Sequence, residues 1–281
     1  MDQATVESIS SQLEQRIASK SLVLPMLPQV ISQVLTLVND VDSDAAALAL
    51  LIQSDQALAG HVMRIANSAA YSPHAKLTSL QQAIARLGMQ NMTEIAMAAT
   101  MGPKLFSVRG FESMVKDIWE SSLATAVWAR ELARQGRRNV ESTFLCGLLF
   151  QIGKPVVLEA VLDITKTDSA QVDPDWVALL VNQYQQQVGA LLADHWQLPV
   201  AVVHTINSVD SDGPAEGSQD IVDTVKAARV FSAITQGDRN YDADSLSADP
   251  TVVEINMYAD DVQQLLAKAD RIHDTIGALS L

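Results

Sequence analysis

The sequence predicts an all-α protein, and three observations carry that prediction. Gly and Pro are few, at 12 and 9 of 281 residues, and aromatics make up 5%, a composition that favours helices over sheets. Apolar residues recur at three- and four-residue steps along most of the chain, the spacing that gathers them on one side of a helix. Residues able to cap a helix, among them Asp44, Asp55, Ser79 and Asp173, stand in front of several of these runs. With 48% hydrophobic residues the chain can bury a large core.

Residues 2–20 read as a leading helix whose Val6, Ile9, Leu13 and Ile17 form a narrow apolar stripe for docking on the main body. After the break at Leu24-Pro25-Met26-Leu27-Pro28, Val30, Ile31, Val34, Leu35 and Val38 make an amphipathic face, and Pro28 suits its first turn. Asp44 caps a short helix through Ile52, and Asp55 caps another that runs through Ala66 to the turn at Asn67-Ser68. Ser79 opens a helix that Gly88 ends, and residues 91–99 resume the spacing. Up to about residue 103 this is a stack of five or six helices.

Past the Gly102-Pro103 break, residues 111–135 predict a long helix ending at Gly136, with Val115, Ile118, Trp119, Leu123, Ala126 and Val127 on one face. Residues 141–162 are apolar on nearly all sides and belong at the centre. No apolar run approaches the roughly 20 residues needed to span a bilayer. Asp173-Pro174 starts a helix to about Gln183, residues 188–196 continue into another, and Pro199 opens a third. Residues 210–220 form a polar loop, a helix through Val222, Val225, Ala228 and Phe231 follows, residues 237–250 are an acidic loop, and residues 260–279 finish as one or two helices. The expected organisation is an N-terminal helix (1–21), a central domain (22–210) and a C-terminal helical extension packed on the core (211–281). At a coarser level, two helical subdomains pack together, divided near residue 103.

The formal charge of -14 and pI near 4.6 oppose binding to nucleic acid or anionic membrane surfaces. The basic group Arg130, Arg134, Arg137 and Arg138 reads as cations at a helix C-terminus. A single cysteine, Cys146, in an apolar run reads as a buried structural thiol and gives no sign of an oxidising compartment. The N-terminus lacks the basic and apolar regions of a signal peptide, so a cytoplasmic location is expected.

One stretch, Cys146-Gly147-Leu148-Leu149-Phe150-Gln151-Ile152-Gly153-Lys154, looks like a catalytic motif with its chemistry removed. In HD-type metal-dependent phosphohydrolases this frame carries adjacent His and Asp ligands at the two places that hold Phe150 and Gln151. Other stretches join it in order: Leu24 to Val30, Ser54 to Leu58, Arg64 to Tyr71, Ser79 to Gly88, Trp119 to Ala126, and Val188-Gly189 through Trp196-Gln197-Leu198-Pro199. Over residues 22–210 the set resembles the HDOD domain, the non-enzymatic relative of those hydrolases found in bacterial signalling proteins. The resemblance implies a multi-helical HD-related bundle. It aligns the lost metal ligands with Ser121, Phe150, Gln151, Gln185, Val209 and Arg229, none of them a suitable set of donors. The former metal pocket is then a place for a small ligand, and an exposed helix face a place for another signalling protein.

The remaining chemistry offers little. The histidines His61, His74, His195, His204 and His273 lack the i, i+4 pairing of a helical metal site. Residues 238–242 alternate oxygens as a calcium loop does, but Ala243 stands where the Gly is required. No nucleophile elbow or phosphate-cradling Gly-rich loop occurs, and no cofactor is expected. Gly147, Gly153 and Gly189 suit close helix approach, and Asn67 suits a left-handed turn residue. Asn67, Ser68 and Tyr71 also have the alternative role of touching a partner. The expectation is a non-enzymatic regulatory scaffold; the alternatives are an HD hydrolase with ligands elsewhere, and a nucleotide second-messenger sensor without turnover.

Overall fold

The computed structural model describes residues 3–38, 44–72, 76–101, 105–106, 108–165, 173–211, 215–235, 237 and 242–280. The Gly102-Pro103 break, His74 and residues 238–241 of the calcium-like loop lie outside the described residues. Among the described residues every regular element is a helix.

After α1 (Gln3–Ala18), the first layer runs through α2 (Gln29–Val38), α3 (Ala45–Gln53), α4 (Gln56–Ala66) and α5 (Leu80–Met101). The caps work as the sequence indicates: Asp44 accepts from the Ala47 amide, Asp55 from Ala57 and Leu58, and Ser79 from Gln82. Pro28 sits one place before α2 rather than in its first turn, its carbonyl accepting from the Ile31 and Ser32 amides. In α5 the backbone breaks at Gly88, with φ 86° and ψ 159°, a conformation that L side chains avoid. The element is therefore two helices meeting at a kink.

The second layer centres on α6 (Glu112–Gln135), which packs against α7 (Val140–Leu149) and α11 (Gln219–Thr235). The Trp128 and Phe231 rings meet at 5.1 Å between centroids, joining α6 to α11 deep in the core. α8 (Gly153–Thr165) lies along α9 (Pro174–His195), and α10 (Val200–Ser208) bridges α9 and α7. α9 is one helix, not the two expected. Past Pro174 in its first turn no Pro falls within it, and Gly189 lies inside it at a helix crossing without ending it.

Residues 237–250 are not simply a loop. Asp242 caps α12 (Ala243–Ala248) and Asp249 caps α13 (Pro250–Glu254), so acidic side chains that read as loop are helix starts. α14 (Ala259–Leu266) and α15 (Ala269–Leu279) finish the chain and pack on α6.

The apolar stretch also corrects an expectation. By length and composition residues 140–165 could cross a bilayer, but the helix breaks at Phe150–Ile152 and most of the stretch is buried inside this fold, which is how a central core helix pair also reads.

Candidate functional site

The frame residues put α8 across α9 at backbone contact. A Cβ at Gly153 would lie 2.0 Å from the Gln185 carbonyl oxygen and 2.6 Å from the Gly189 nitrogen. A Cβ at Gly147 would likewise lie 2.8 Å from the Ala126 Cα of α6. These close crossings set where Phe150, Gln151 and Lys154 stand.

Phe150 and Gln151 point to different neighbours. The Gln151 amide donates to the Ile118 carbonyl at 3.0 Å and to Ser122 Oγ at 2.9 Å, closing on α6. Ser122, not Ser121, is thus the serine that meets Gln151; the Ser121 carbonyl accepts from Thr125 one turn on. Beside Gln151 a gap of about 30 Å³ remains, room for a water and little more.

Phe150 instead faces α11, where the Arg229 guanidinium lies over its ring at 5.4 Å from the centroid. Arg229 also donates to Asp210 Oδ1 at 2.6 Å and to the Val209 carbonyl at 3.2 Å. The other Asp210 oxygen accepts from Gln185 Nε2 at 3.0 Å. Lys154 stands in the same field: burial, and then Arg229, lower its pKa from the ordinary lysine value, while Asp210 opposes them. Gln185 Oε1 is buried without a partner. Phe150, Gln185, Val209 and Arg229 therefore gather around Asp210, and Ser121 and Gln151 belong to the α6 side.

A divalent ion does not fit this set. It needs several carboxylate or imidazole ligands and an open place for water, whereas the gathered groups supply one carboxylate, an amide, an aromatic ring and two cations. Asp210 was not singled out by sequence, since it pairs with a residue 19 positions away.

A second polar centre joins the two layers. Arg130 Nη1 of α6 donates to Glu94 Oε2 of α5 at 2.7 Å, and its Nε to Glu131 at 3.2 Å, which Arg134 also holds at 2.7 Å. Arg130 and Glu94 side chains are only 7% and 4% exposed, so Arg130 is a buried pair member and not a surface cation at a helix end. Arg138 is likewise bonded inward, to Thr224 and the Ile255 carbonyl. Burial pushes the Glu94 carboxyl up against the pull of Arg130.

Tyr71 lies beside this centre, and Asn67, Ser68 and Tyr71 are all half-buried. Asn67 exchanges two hydrogen bonds with the Leu77 backbone and donates a third to Met63, a clip between α4 and the approach to α5. Its φ is -91°, so it is not the left-handed residue expected. The Tyr71 hydroxyl is buried near Arg130 without a well-aligned hydrogen bond, and burial pushes it up to about 12 against the pull of Arg130. Ser68 Oγ is buried without a partner as well.

Fold and site together define an all-α bundle in which close crossings at Gly147 and Gly153 set the places of Phe150, Gln151 and Lys154. The chain belongs to the HDOD domain family, whose sequence profile matches residues 24–211. A solved HDOD domain protein of Geobacter sulfurreducens, of unknown function, is 21% identical with a TM-score of 0.73, covering 99% of each chain. A candidate phosphohydrolase of Shewanella amazonensis is 23% identical with a TM-score of 0.67, over 95% of this chain and 97% of that one. A candidate metal-dependent phosphohydrolase of the same organism is 19% identical with a TM-score of 0.71, over 97% and 99%. At these identities the likeness is one of fold. A Treponema pallidum protein described as uncharacterized is 22% identical over 246 residues; the match takes in 84% of this chain and 47% of that protein, about half its length.

Proposed function

We propose that the chain is a non-enzymatic signalling module, acting in the cytoplasm by binding another protein, on a fold shared with metal-dependent phosphohydrolases. The observation that carries this reading is Arg229. Its guanidinium is fixed over Phe150 and paired with Asp210 at a position that, by family resemblance, belongs to a metal-ligating carboxylate. With Lys154 adjacent, the local field disfavours a divalent cation. Among the described residues no group of three or more His, Cys, Asp or Glu side chains is arranged to hold a metal.

Metal analysis of the purified chain, run beside turnover assays on phosphate mono- and diesters, tests the reading. Substoichiometric metal and no turnover are expected. Stoichiometric Mn or Fe with hydrolysis would return the chain to the enzymes.

The pair of cations Lys154 and Arg229 favours one second reading, an anionic nucleotide messenger bound without turnover. Thermal shifts with cyclic dinucleotides and guanosine phosphates decide it, and a flat response across that panel removes it.

A further inference from the structure

A cavity of about 290 Å³ lies between α5, α7 and α10, just below the roughly 300–1,000 Å³ range of small-molecule sites. It is a different place from the Arg229–Asp210 cluster. Three α5 residues four apart, Met89, Thr93 and Met97, give it one wall, and Phe144 and Cys146 of α7 give it another. The N-terminus of α10, with Ala201, closes the third side. The cavity therefore straddles the two layers of the fold.

Its polar lining is one-sided. Gln90, Glu94, Ser142 and Glu141 face the space, while no Lys, Arg or His stands among the described residues of the wall. Glu94 Oε2 is committed to Arg130, but among the described residues Oε1 is met only by Gln90, at a long 3.4 Å. A buried carboxylate oxygen with a weak partner, an aromatic ring and soft methionine sides suit an ammonium group carrying an apolar body. A carboxylate or phosphate would meet the Glu94 and Glu141 carboxylates with no cation among the described residues of the wall, Arg130 lying behind Glu94 on its other oxygen.

We propose that this cavity binds a small amphipathic amine, its ammonium turned to Glu94 Oε1 and Gln90 and its apolar part laid against Phe144, Met89 and Met97. The site bridges the layers through a residue already in the Glu94–Arg130 pair, so occupancy is coupled to how firmly they are joined. The inference is independent of the metal question, and metal analysis or turnover leaves it untouched.

Hexylamine and phenethylamine serve as probes, with hexanol, hexanoate and phenylpropionate as matched controls, against the full chain at 0.15 M salt. The amines are expected to raise the unfolding midpoint by about 2–4 °C at concentrations several times their Kd; the alcohol should do less and the acids nothing. Ala201→Trp and, separately, Met89→Trp fill the space and should abolish the amine shift. Equal shifts with the acids, no shift with either amine, or an undiminished shift in a folded filling variant overturns the proposal. Should both variants fail to fold, methyl-¹³C-methionine spectra of the natural chain decide: amine should move the Met89 and Met97 methyl signals and leave Met257 in place, and unmoved Met89 and Met97 signals would sink the idea.

Discussion

Lys154 gives up hydration and lies in the field of Arg229, so its ammonium loses its proton more readily than a free lysine's. Between that lowered folded value and the ordinary 10.5, the unfolded chain holds more protons than the folded one. Stability conferred by this group is thus present above the ordinary value and lost as pH falls through the folded one. Lys154→Met should gain stability near neutrality, and its advantage should shrink as pH is raised toward 10.5. Urea midpoints measured across that range check this, and a constant gap would mean that Lys154 is not desolvated. At the layer junction, Arg130→Met leaves Glu94 as a buried, unpaired carboxylate and should cost about 3–5 kcal/mol. Glu94→Leu combined with Arg130→Met removes both charges and should recover much of that loss, because the desolvation penalty leaves with them; Glu131 keeps Arg134. If the double variant is no more stable than Arg130→Met alone, the pair is not the reason for the cost.

Helix boundaries were legible wherever their cause is local. Asp44, Asp55, Ser79 and Asp173 each accept from an amide two or three residues on, so the cap and its target lie in one short window of sequence. Where a cap sits in an acidic stretch the signal is masked, as with Asp242 and Asp249, whose neighbours suggested a loop. Polar contacts between elements were not legible: Arg130 reads as a cation at a helix end, and Glu94 stands unmarked between Met92 and Met97. Their 36-residue separation hides the pair. Gly147, Gly153 and Gly189 were readable as places of close approach, and the distances show how close. Gly153→Ala would drive a Cβ into the Gln185 carbonyl on rigid helix backbone. The expected loss is at or above the ~1–3 kcal/mol common for overpacked sites, measured by denaturant unfolding. Because Gln185 also holds Asp210, the same change should alter the pH profile set by Lys154. A loss below about 0.5 kcal/mol would mean that α8 and α9 can separate cheaply, which close packing opposes.

At the scale of the whole molecule, chain order and packing order differ. α1 precedes the first layer in sequence, yet it packs on α8 and α9 of the second. Glu14 accepts from the Tyr184 hydroxyl, Ser10 meets the same oxygen, and Arg16 pairs with Asp163. Further along, Trp196 donates to the Pro25 carbonyl. The N-terminal segment is therefore held by the second layer on one side of the molecule, while Glu94–Arg130 holds the layers together in the interior. Two such ties make separate melting of the layers costly, although chains of this length often unfold through intermediates. All four tryptophans, Trp119, Trp128, Trp176 and Trp196, lie in the second layer, so their fluorescence reports that layer, whereas far-UV circular dichroism reports every helix. The two signals should follow a single urea transition. Removing residues 1–20 uncovers the seats of Val6, Ile9 and Leu13 and lifts the tie to Tyr184. The shortened chain should then unfold at lower urea, with fluorescence changing ahead of circular dichroism as the second layer loosens first. Coincident curves in the shortened chain, at an unchanged midpoint, would place the coupling entirely in the interior contacts and make α1 dispensable to it.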